Sequence, residues 1–286
     1  MTNVDQFESM FRAAAREPFV YDPVDIGSVL VVTDRDRDGA AAFGARVRSF
    51  LSVLDADRGV AWRDMTGSEF RTAGELLERV EAADPALICT YRNLHSTAWR
   101  WPYSLGTHVD LLTQHTRVPI MLLPHPEAQH AADHALQDTN TVMAITDDLT
   151  GDHRLVNHAV RFVESGGVLW LTHIEDEMVF ARYVDVIGKL PAIDTDTARA
   201  ALKAQLLREP DDYIAGCRDV LAARGVPLTV EKLVGFGRRL AAYTKLIEQH
   251  RVDLLVLNTK DEDQLAMHGV AYALAVELRH IPLLML

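Results

Sequence analysis

The 286-residue sequence has little cysteine, no excess of positive charge and no long apolar run. Its two cysteines, Cys89 and Cys217, lie far apart in unlike contexts, which argues against a disulfide or cysteine-metal framework. A net charge of −12 argues against a nucleic-acid partner, because such binding needs a basic surface. No stretch approaches the ~20 apolar residues that span a bilayer, and the N-terminus lacks the apolar core of a signal peptide. We therefore expect a cytoplasmic protein without a membrane partner, although a small nucleotide in a local pocket is still compatible.

Motifs for catalysis are also missing. The Ser, Cys and His residues form no nucleophile motif, and the sequence contains neither an H-E-x-x-H zinc motif nor a Walker phosphate loop. His130 and His134 are spaced like metal ligands, but a polar segment without a third fixed ligand makes chance spacing the simpler explanation. These observations predict neither an enzyme nor a metal site.

What the sequence does contain is similarity to itself. The stretches SVLVVTDRDRDG and TVMAITDDLTGD align without gaps, Ser28 with Thr141, and each is an apolar run that ends in Thr-Asp. The stretches GTHVDLLTQHTRVPIMLL and GVAYALAVELRHIPLLML, which begin at Gly106 and Gly269, match as well, and each contains an X-Pro that opens an apolar strand. Two independent matches at opposite ends of two segments predict a tandem repeat.

The alternation of strand and helix patterns in each copy predicts an α/β fold with parallel sheets covered on both faces. The second copy is complete, whereas the first is shorter and lacks one βα unit. We predict an N-terminal extension with a short amphipathic helix (1–27), a truncated domain (28–124), a linker (125–138) and a complete domain (139–286). In the second domain we expect a long connection after residue 175, a helical region over 194–224 broken at Pro210, and a turn at Gly235-Phe236-Gly237.

The ordered set of features resembles the universal stress protein family in its tandem-domain form. The features are a first strand that ends in Asp (Asp34, Asp147), the second strand LTHIE, a glycine that opens the last helix, and the X-Pro closing strands VPIMLLP and IPLLML. The resemblance implies a doubly wound, Rossmann-like sheet of strand order 3-2-1-4-5 in each domain. It also implies association of domains through their last strands, either within one chain as a pseudo-dimer or between chains as a homodimer.

The resemblance further implies a site for ATP in the members that bind it. Those members carry a G-x2-G-x9-G-[ST] loop after the fourth strand, whose backbone amides hold phosphate. In the second copy Asn258 and Asp261 stand at the first two glycines, and only Gly269 matches the third. The run Asp261, Glu262, Asp263 would face the phosphates and repel them. The second loop is therefore degenerate.

In the first copy Gly106 and Thr107 keep the last pair of the motif, and Asn93 and Ser96 replace the two earlier glycines. The same loop contains five cationic and aromatic side chains, Arg92, Trp99, Arg100, Trp101 and Tyr103. One reading is a ligand loop in which arginine pairs with an anion and tryptophan stacks on a base. The other is that these aromatic residues cover the end of the sheet or the other domain.

Four further residues are candidates for ligand binding. Asp34 and Asp147 could contact a base or could act as helix caps and turn residues. His173, near the end of the second strand of its copy, could face the crevice or be a satisfied structural histidine. Gly237 could approach a ligand closely or only serve a turn.

Three functions are compatible with these features. The first is a non-enzymatic universal stress-type protein whose ATP loop is degenerate in both halves. It would act in stress adaptation through an unknown protein partner or a small ligand, with no firmly predicted cofactor. The second is an adenine-nucleotide (ATP) binder with a modified site around Asp147, Gly237 and Gly269. The third is a nucleotidyl transferase or hydrolase, against which the missing catalytic motifs argue.

Overall fold

The computed structural model describes residues 18–54, 59–101, 103–128, 131–146, 149–259 and 269–286. The short helix predicted within residues 1–27 lies almost wholly outside these ranges, as do Asp147 and the run Asp261, Glu262, Asp263. All structural statements below concern the described residues.

The strands of the chain are short and mostly buried, which suits a sheet covered on both faces. In chain order they are β1 (Ser28–Val32), β2 (Ala61–Met65), β3 (Leu87–Tyr91), β4 (Ile120–Leu123), β5 (Thr141–Ile145), β6 (Val168–Asp176), β7 (Thr229–Gly237), β8 (Leu254–Leu257) and β9 (Leu283–Met285).

Helices connect these strands, and several begin at an aspartate or threonine whose side chain accepts a hydrogen bond from the first turn. In chain order they are α1 (Arg37–Phe50), α2 (Ala73–Ala83), α3 (Thr107–His115), α4 (His153–Phe162), α5 (Glu177–Ile187), α6 (Thr195–Ala223), α7 (Arg239–Gln249) and α8 (Gly269–Glu277). Short 3-10 turns occur at Ser52–Leu54 and Ala98–Arg100.

The strands form one nine-stranded sheet of order β2-β1-β3-β4-β9-β8-β5-β6-β7. In the second half the five strands from β5 to β9 follow the order 3-2-1-4-5, as predicted. The first half has the same order without its third strand, which confirms the predicted truncated, doubly wound α/β architecture. Within each half the paired strands are parallel.

The two halves meet at their closing strands. β4 pairs antiparallel with β9, with Ile120 beside Met285 and Leu122 beside Leu283. These strands are buried and belong to a hydrophobic core that extends through both halves. The chain thus joins its halves by backbone hydrogen bonds and apolar burial together.

Three details of the second half differ from the sequence-based expectations. The segment Gly235-Phe236-Gly237 is not a turn: β6 continues as far as Asp176 and provides these residues with strand partners. The long connection after residue 175 contains a helix, α5. The helix α6 continues through Pro210, which is buried, because the packing of Tyr213 and the residues after it outweighs the one hydrogen bond that proline cannot donate.

Candidate functional site

In the first half, the carboxylate of Asp34 lies at the carboxyl end of β1, where ligands bind in open α/β sheets. Its Oδ1 accepts a hydrogen bond from the Tyr91 hydroxyl, and its Oδ2 accepts one from the backbone N–H of His95 at 2.7 Å. The chain itself therefore supplies donors to both oxygens of this carboxylate.

The partner Tyr91, the last residue of β3, is buried. Its hydroxyl also lies 2.7 Å from Thr33 Oγ1 and accepts from the backbone N–H of Asp34 at 3.3 Å. Burial and then the bond to Asp34 raise the pKa of Tyr91 to about 12, so that the hydroxyl keeps its proton at neutral pH. Tyr91 was not among the candidates predicted from the sequence, although an aromatic residue at the end of a buried strand was a visible signal.

The loop from Asn93 to Gly106 closes on itself. Asn93 adopts a left-handed backbone with φ 56°, and its N–H donates to the Leu105 carbonyl at 2.8 Å. A Cβ on Gly106 would lie only 2.7 Å from Asn93 Cα, so this close approach requires the glycine, which itself has φ 91°. Ser96 donates its N–H to the Asn93 carbonyl at 3.0 Å. The loop therefore closes without a glycine at position 93, since asparagine tolerates this backbone.

The two arginines of this loop, Arg92 and Arg100, lie in different environments. Arg92 is buried, and its guanidinium donates to the backbone carbonyls of Ala275 at 3.1 Å and Leu278 at 2.6 Å. These carbonyls end α8, so Arg92 caps a helix of the other half, a role that cations favour. Burial lowers the pKa of Arg92 to about 9, which leaves it charged at neutral pH. Arg100, in contrast, is exposed.

The aromatic residues of the loop also divide into two groups. Trp99 stacks on His125 with ring centres 4.2 Å apart and planes 10° apart, and His125 also meets the Tyr91 ring edge at 4.8 Å. Burial lowers the pKa of His125 to about 4, so its ring is neutral. Trp101 and Tyr103 instead remain 52% and 79% exposed. Of the two readings left open, coverage of the sheet end fits Trp99 alone.

His125 was assigned to the linker between the halves, with no site role. Its ring instead contacts Tyr91 and Trp99 of the first half, and Glu127 of the same segment pairs with Arg35 at 2.8 Å. Thr107, the first residue of α3, is exposed and beside the N-cap Gly106, which offers no side-chain cap. The candidates Asp34 and Gly106 thus lie in one region with Tyr91 and His125, while Thr107 and Arg100 lie on its surface.

The second half has different chemistry at the same edge of the sheet. The side-chain amide of Asn258 donates to Asp152, and the other oxygen of Asp152 caps α4 by accepting from Leu155 N–H at 3.0 Å. Asn258 Oδ1 is buried and has no hydrogen-bond partner among the described residues. An unsatisfied buried acceptor is costly and is often relieved by a ligand or water.

His173 extends from β6 and is buried. Its Nε2 lies 2.9 Å from Glu175 Oε1, while its Nδ1 has no hydrogen-bond partner in the described part of the chain. The sequence left open a satisfied structural histidine or a crevice residue, and this histidine is satisfied at one nitrogen only.

A second histidine of this half, His153, was not anticipated. It begins α4, its Nδ1 lies 3.0 Å from the Tyr213 hydroxyl, and its Nε2 is buried without a described partner. Phe19 packs edge-on against both rings, at 5.7 Å from His153 and 6.3 Å from Tyr213. Burial raises the pKa of Tyr213, which holds its proton in this contact. Nothing in the local sequence spacing marks a contact between α4 and α6.

The remaining candidates of the second half occupy separate positions. Gly237 pairs with Asp176 at the end of β7, and a Cβ there would meet Ala242 at an ordinary 3.4 Å, so the strand itself does not require glycine. Gly269 begins α8. Asp147 and Asp261 lie outside the described residues, and the prediction that the acidic run faces phosphate stays untested.

The strand register shows which residues of the two halves correspond. Val31 lies beside Cys89 in the first half, and Ala144 beside Val256 in the second. Because Val31 and Ala144 match in the alignment of the two halves, Tyr91 corresponds to Asn258 in space. Asn93, which spacing had matched to the first motif glycine, lies two residues further along.

Within the described ranges, no cluster of three His, Cys, Asp or Glu side chains could hold a metal ion. None of the helices in those ranges has the length and apolar character needed to cross a membrane.

Comparisons with known proteins support the fold. No family model and no curated protein sequence matches the chain. Among solved structures, a universal stress protein from Archaeoglobus fulgidus DSM 4304 aligns with 92% of this chain and 98% of its own, at a TM-score of 0.53 and 11% identity. A functionally unknown protein from Pseudomonas aeruginosa PAO1 aligns with 91% of this chain and 92% of its own, at a TM-score of 0.49 and 12% identity. The likeness to the Archaeoglobus fulgidus structure shows that the chain has the universal stress protein fold.

Proposed function

We propose that this chain is a non-enzymatic universal stress-type protein that acts in the cytoplasm by interaction or by binding a small ligand, and that its first half does not bind ATP. The proposal is supported above all by Asp34, whose two carboxylate oxygens already accept hydrogen bonds from Tyr91 and His95. A nucleotide base that needed this carboxylate would have to displace both donors.

The surroundings of Asp34 add to this argument. His125, stacked on Trp99, lies beside Tyr91 where a flat ligand ring would otherwise stack. Arg92, the buried cation of the loop, is engaged with the carbonyls of α8 and is not directed to a phosphate. A ligand in the first half would therefore compete with contacts that the chain makes to itself, which costs affinity.

The experiment is to denature the purified protein, identify any released small molecule by mass spectrometry, and titrate the native protein with ATP and Mg²⁺ by calorimetry. We expect no stoichiometric nucleotide and no binding in the micromolar range. ATP hydrolysis no faster than in a heat-inactivated control is expected as well. ATP hydrolysis above that control would refute the non-enzymatic assignment. Micromolar ATP binding by the wild type that is lost in Asp34→Asn would refute the proposal that the first half does not bind ATP.

A second candidate function is adenine-nucleotide binding in the second half. It is favoured by the buried atoms Asn258 Oδ1 and His173 Nδ1, which have no partner among the described residues and which a ligand could satisfy. If ATP binds there, Asn258→Ala should weaken binding by at least about tenfold, the typical effect of losing a buried hydrogen bond to a ligand. Asp34→Asn serves as the matched control and should leave that affinity unchanged.

A further inference from the structure

Residues 18–22 precede β1 of the first half but lie against α4 and α6 of the second half. Their backbone forms no helix or strand, and the described strands β1 to β9 all lie outside them. Among the described residues, the backbone of residues 18–24 makes hydrogen bonds to the side chain of Asn157 and none to another backbone group. We call residues 18–22 the strap. Because no described strand pairing includes it, the strap can leave without unpairing the sheet.

The backbone of the strap is held by Asn157, which lies about one helical turn after His153 on α4 and is only 6% exposed. The Asn157 Nδ2 donates to the Val20 carbonyl at 3.1 Å, and its Oδ1 accepts from the Asp22 N–H at 3.3 Å. A neighbouring β-strand bonds in the same way to a C=O and to the N–H two residues further on. Asparagine is a weak helix former, so the helix itself does not require it at this position. Asn157 therefore recognises an extended main chain.

The side chain that anchors the strap is Phe19. Its ring is 4% exposed and packs edge-on against His153 at 5.7 Å and Tyr213 at 6.3 Å, whereas the next side chain, Val20, is 58% exposed. A buried aromatic anchor followed by main-chain hydrogen bonds is an arrangement by which proteins bind extended peptides. The strap is thus bound as a peptide ligand is. We call the surface that binds it, formed by His153, Asn157 and Tyr213, the strap site.

The strap does not satisfy every polar atom of the strap site. His153 Nδ1 lies 3.0 Å from the Tyr213 hydroxyl, but its Nε2 is buried without a hydrogen-bond partner among the described residues. The Phe19 ring that packs on His153 has neither a donor nor an acceptor to offer. A buried nitrogen without a partner lowers stability. A segment that places a polar group there would bind more tightly than the strap, and such a difference in affinity is what a displacing ligand needs.

We propose that the strap site binds an extended segment of a protein partner, anchored by an aromatic side chain, and that the strap closes this site until such a segment displaces it. The strap is part of the chain and competes at an effective concentration of about millimolar, so weakly binding segments do not displace it. The inference goes beyond the proposed function and holds whether or not either half binds a nucleotide.

The test uses the full chain and a fluorescent, end-capped peptide of the strap sequence, PFVYDP (residues 18–23). In Phe19→Ser the strap loses its anchor. We expect this variant to bind the peptide at least about tenfold more tightly than the wild type does, because competition from the strap is removed. Val20→Ser is the matched control: it changes an exposed side chain of the strap and should bind as weakly as the wild type. Fluorescence anisotropy measures the three affinities.

Two further changes test the contacts themselves. The peptide PAVYDP, which lacks the aromatic anchor, should not bind detectably to Phe19→Ser. Adding Asn157→Ala to Phe19→Ser should weaken the binding of PFVYDP by at least about tenfold, as expected for the loss of two hydrogen bonds. The proposal is overturned if Phe19→Ser does not bind PFVYDP, or if it binds this peptide no better than the wild type does. Equal binding of the two peptides would overturn it as well.

A measurement on the wild type decides the question if Phe19→Ser does not fold. Hydrogen exchange of the Asp22 amide, which is bonded to Asn157, reports on release of the strap. We expect this amide to exchange at least about a hundredfold faster than the amides of β5, which open only with the sheet. If both exchange at the same rate, the strap leaves only when the whole protein unfolds, and the proposal is wrong.

Discussion

Tyr91 in the first half and Asn258 in the second occupy matching places in the sheet, yet they contact different groups. Tyr91 reaches across to the end of β1 and closes the carboxylate of Asp34 together with the His95 N–H. The shorter Asn258 donates to Asp152 at the start of α4 and leaves its own oxygen without a described partner. The residue at this one position therefore decides whether the polar groups at the strand ends are hydrogen-bonded within the chain, as in the first half, or include a buried acceptor without a described partner, as in the second.

The crevices of the two related halves therefore differ in their side chains as well as in the βα unit that the first half lacks. The first half, which lacks a βα unit, fills its crevice with Tyr91, Trp99 and His125. The second half keeps the full strand order and buried polar atoms that point to unmet hydrogen bonds. Three substitutions, each with a control variant, test this difference between the halves.

The largest effect is expected for Arg92→Met, which removes the contact of the first-half loop with the second half. The variant leaves the carbonyls of Ala275 and Leu278 without their donor in a buried place. We expect the free energy of unfolding to fall by about 3 kcal/mol, as for the loss of charged hydrogen bonds. Urea denaturation measures it, and Arg100→Met on the exposed part of the loop is the control, with an effect below about 0.5 kcal/mol. Equal effects of the two variants would contradict the role of Arg92.

An intermediate effect is expected for Tyr91→Phe, which keeps the ring but removes the hydroxyl shared by Thr33 and Asp34. Loss of these buried bonds should cost about 1–2 kcal/mol in the free energy of unfolding. The matched change, Asn258→Ala, should cost less, because it removes a buried unsatisfied oxygen along with the donor to Asp152. Chemical denaturation of both variants tests the difference. A larger loss for Asn258→Ala would mean that the second edge is the better satisfied one.

The smallest effect concerns the amino ends of the strands, opposite the candidate site. It is a change in stability that appears only when the pH is varied. In the first half Ala86 N–H donates to Ser28 Oγ at 3.0 Å, whereas in the second half Thr141 N–H donates to Asp253 Oδ2 at 2.8 Å. Burial raises the pKa of Asp253 from 3.8 to about 6. The folded state therefore holds its proton more tightly, and stability falls as pH rises from about 4 to about 6.

Asp253→Asn should remove that part of the pH dependence while an oxygen for the Thr141 N–H remains. Thermal melting from pH 4 to pH 7 measures it, with Ser28→Ala in the other half as the control that keeps the wild-type pH profile. If wild type and Asp253→Asn show the same profile, Asp253 does not titrate in this range.

The sequence was sufficient to predict the parallel α/β architecture and the truncation of the first half, because strand-helix alternation and the Gly and X-Pro positions are local signals. The strand order followed only from the resemblance to the universal stress protein family. The sequence did not predict that the helix α6 continues through Pro210, because there the packing of neighbouring residues outweighs the tendency of proline to break a helix. Nor did it indicate the strand at Gly235–Gly237, which exists because β6 is long enough to pair with it.

The candidate site was predicted less well than the fold, for a physical reason. The repeat and the family resemblance pointed to Asp34, Asn93 and Gly106. In the structure Asn93 contacts Gly106, and Asp34 accepts a hydrogen bond from the N–H of His95 in the same loop. The role of Arg92 depends on carbonyls of Ala275 and Leu278, far away in the chain, and that of His125 on a stack with Trp99. Such contacts depend on the completed fold and leave no local pattern in the sequence.

The antiparallel pair of β4 and β9 has a consequence for the order of folding during synthesis. The ribosome produces β4 before the entire second half, so the apolar edge of β4 stays unpaired until β9 emerges. The carbonyl partners of Arg92 are missing over the same interval. An open, apolar strand edge invites pairing with other chains. The nascent first half is therefore the stage at which this protein is most exposed to misassembly.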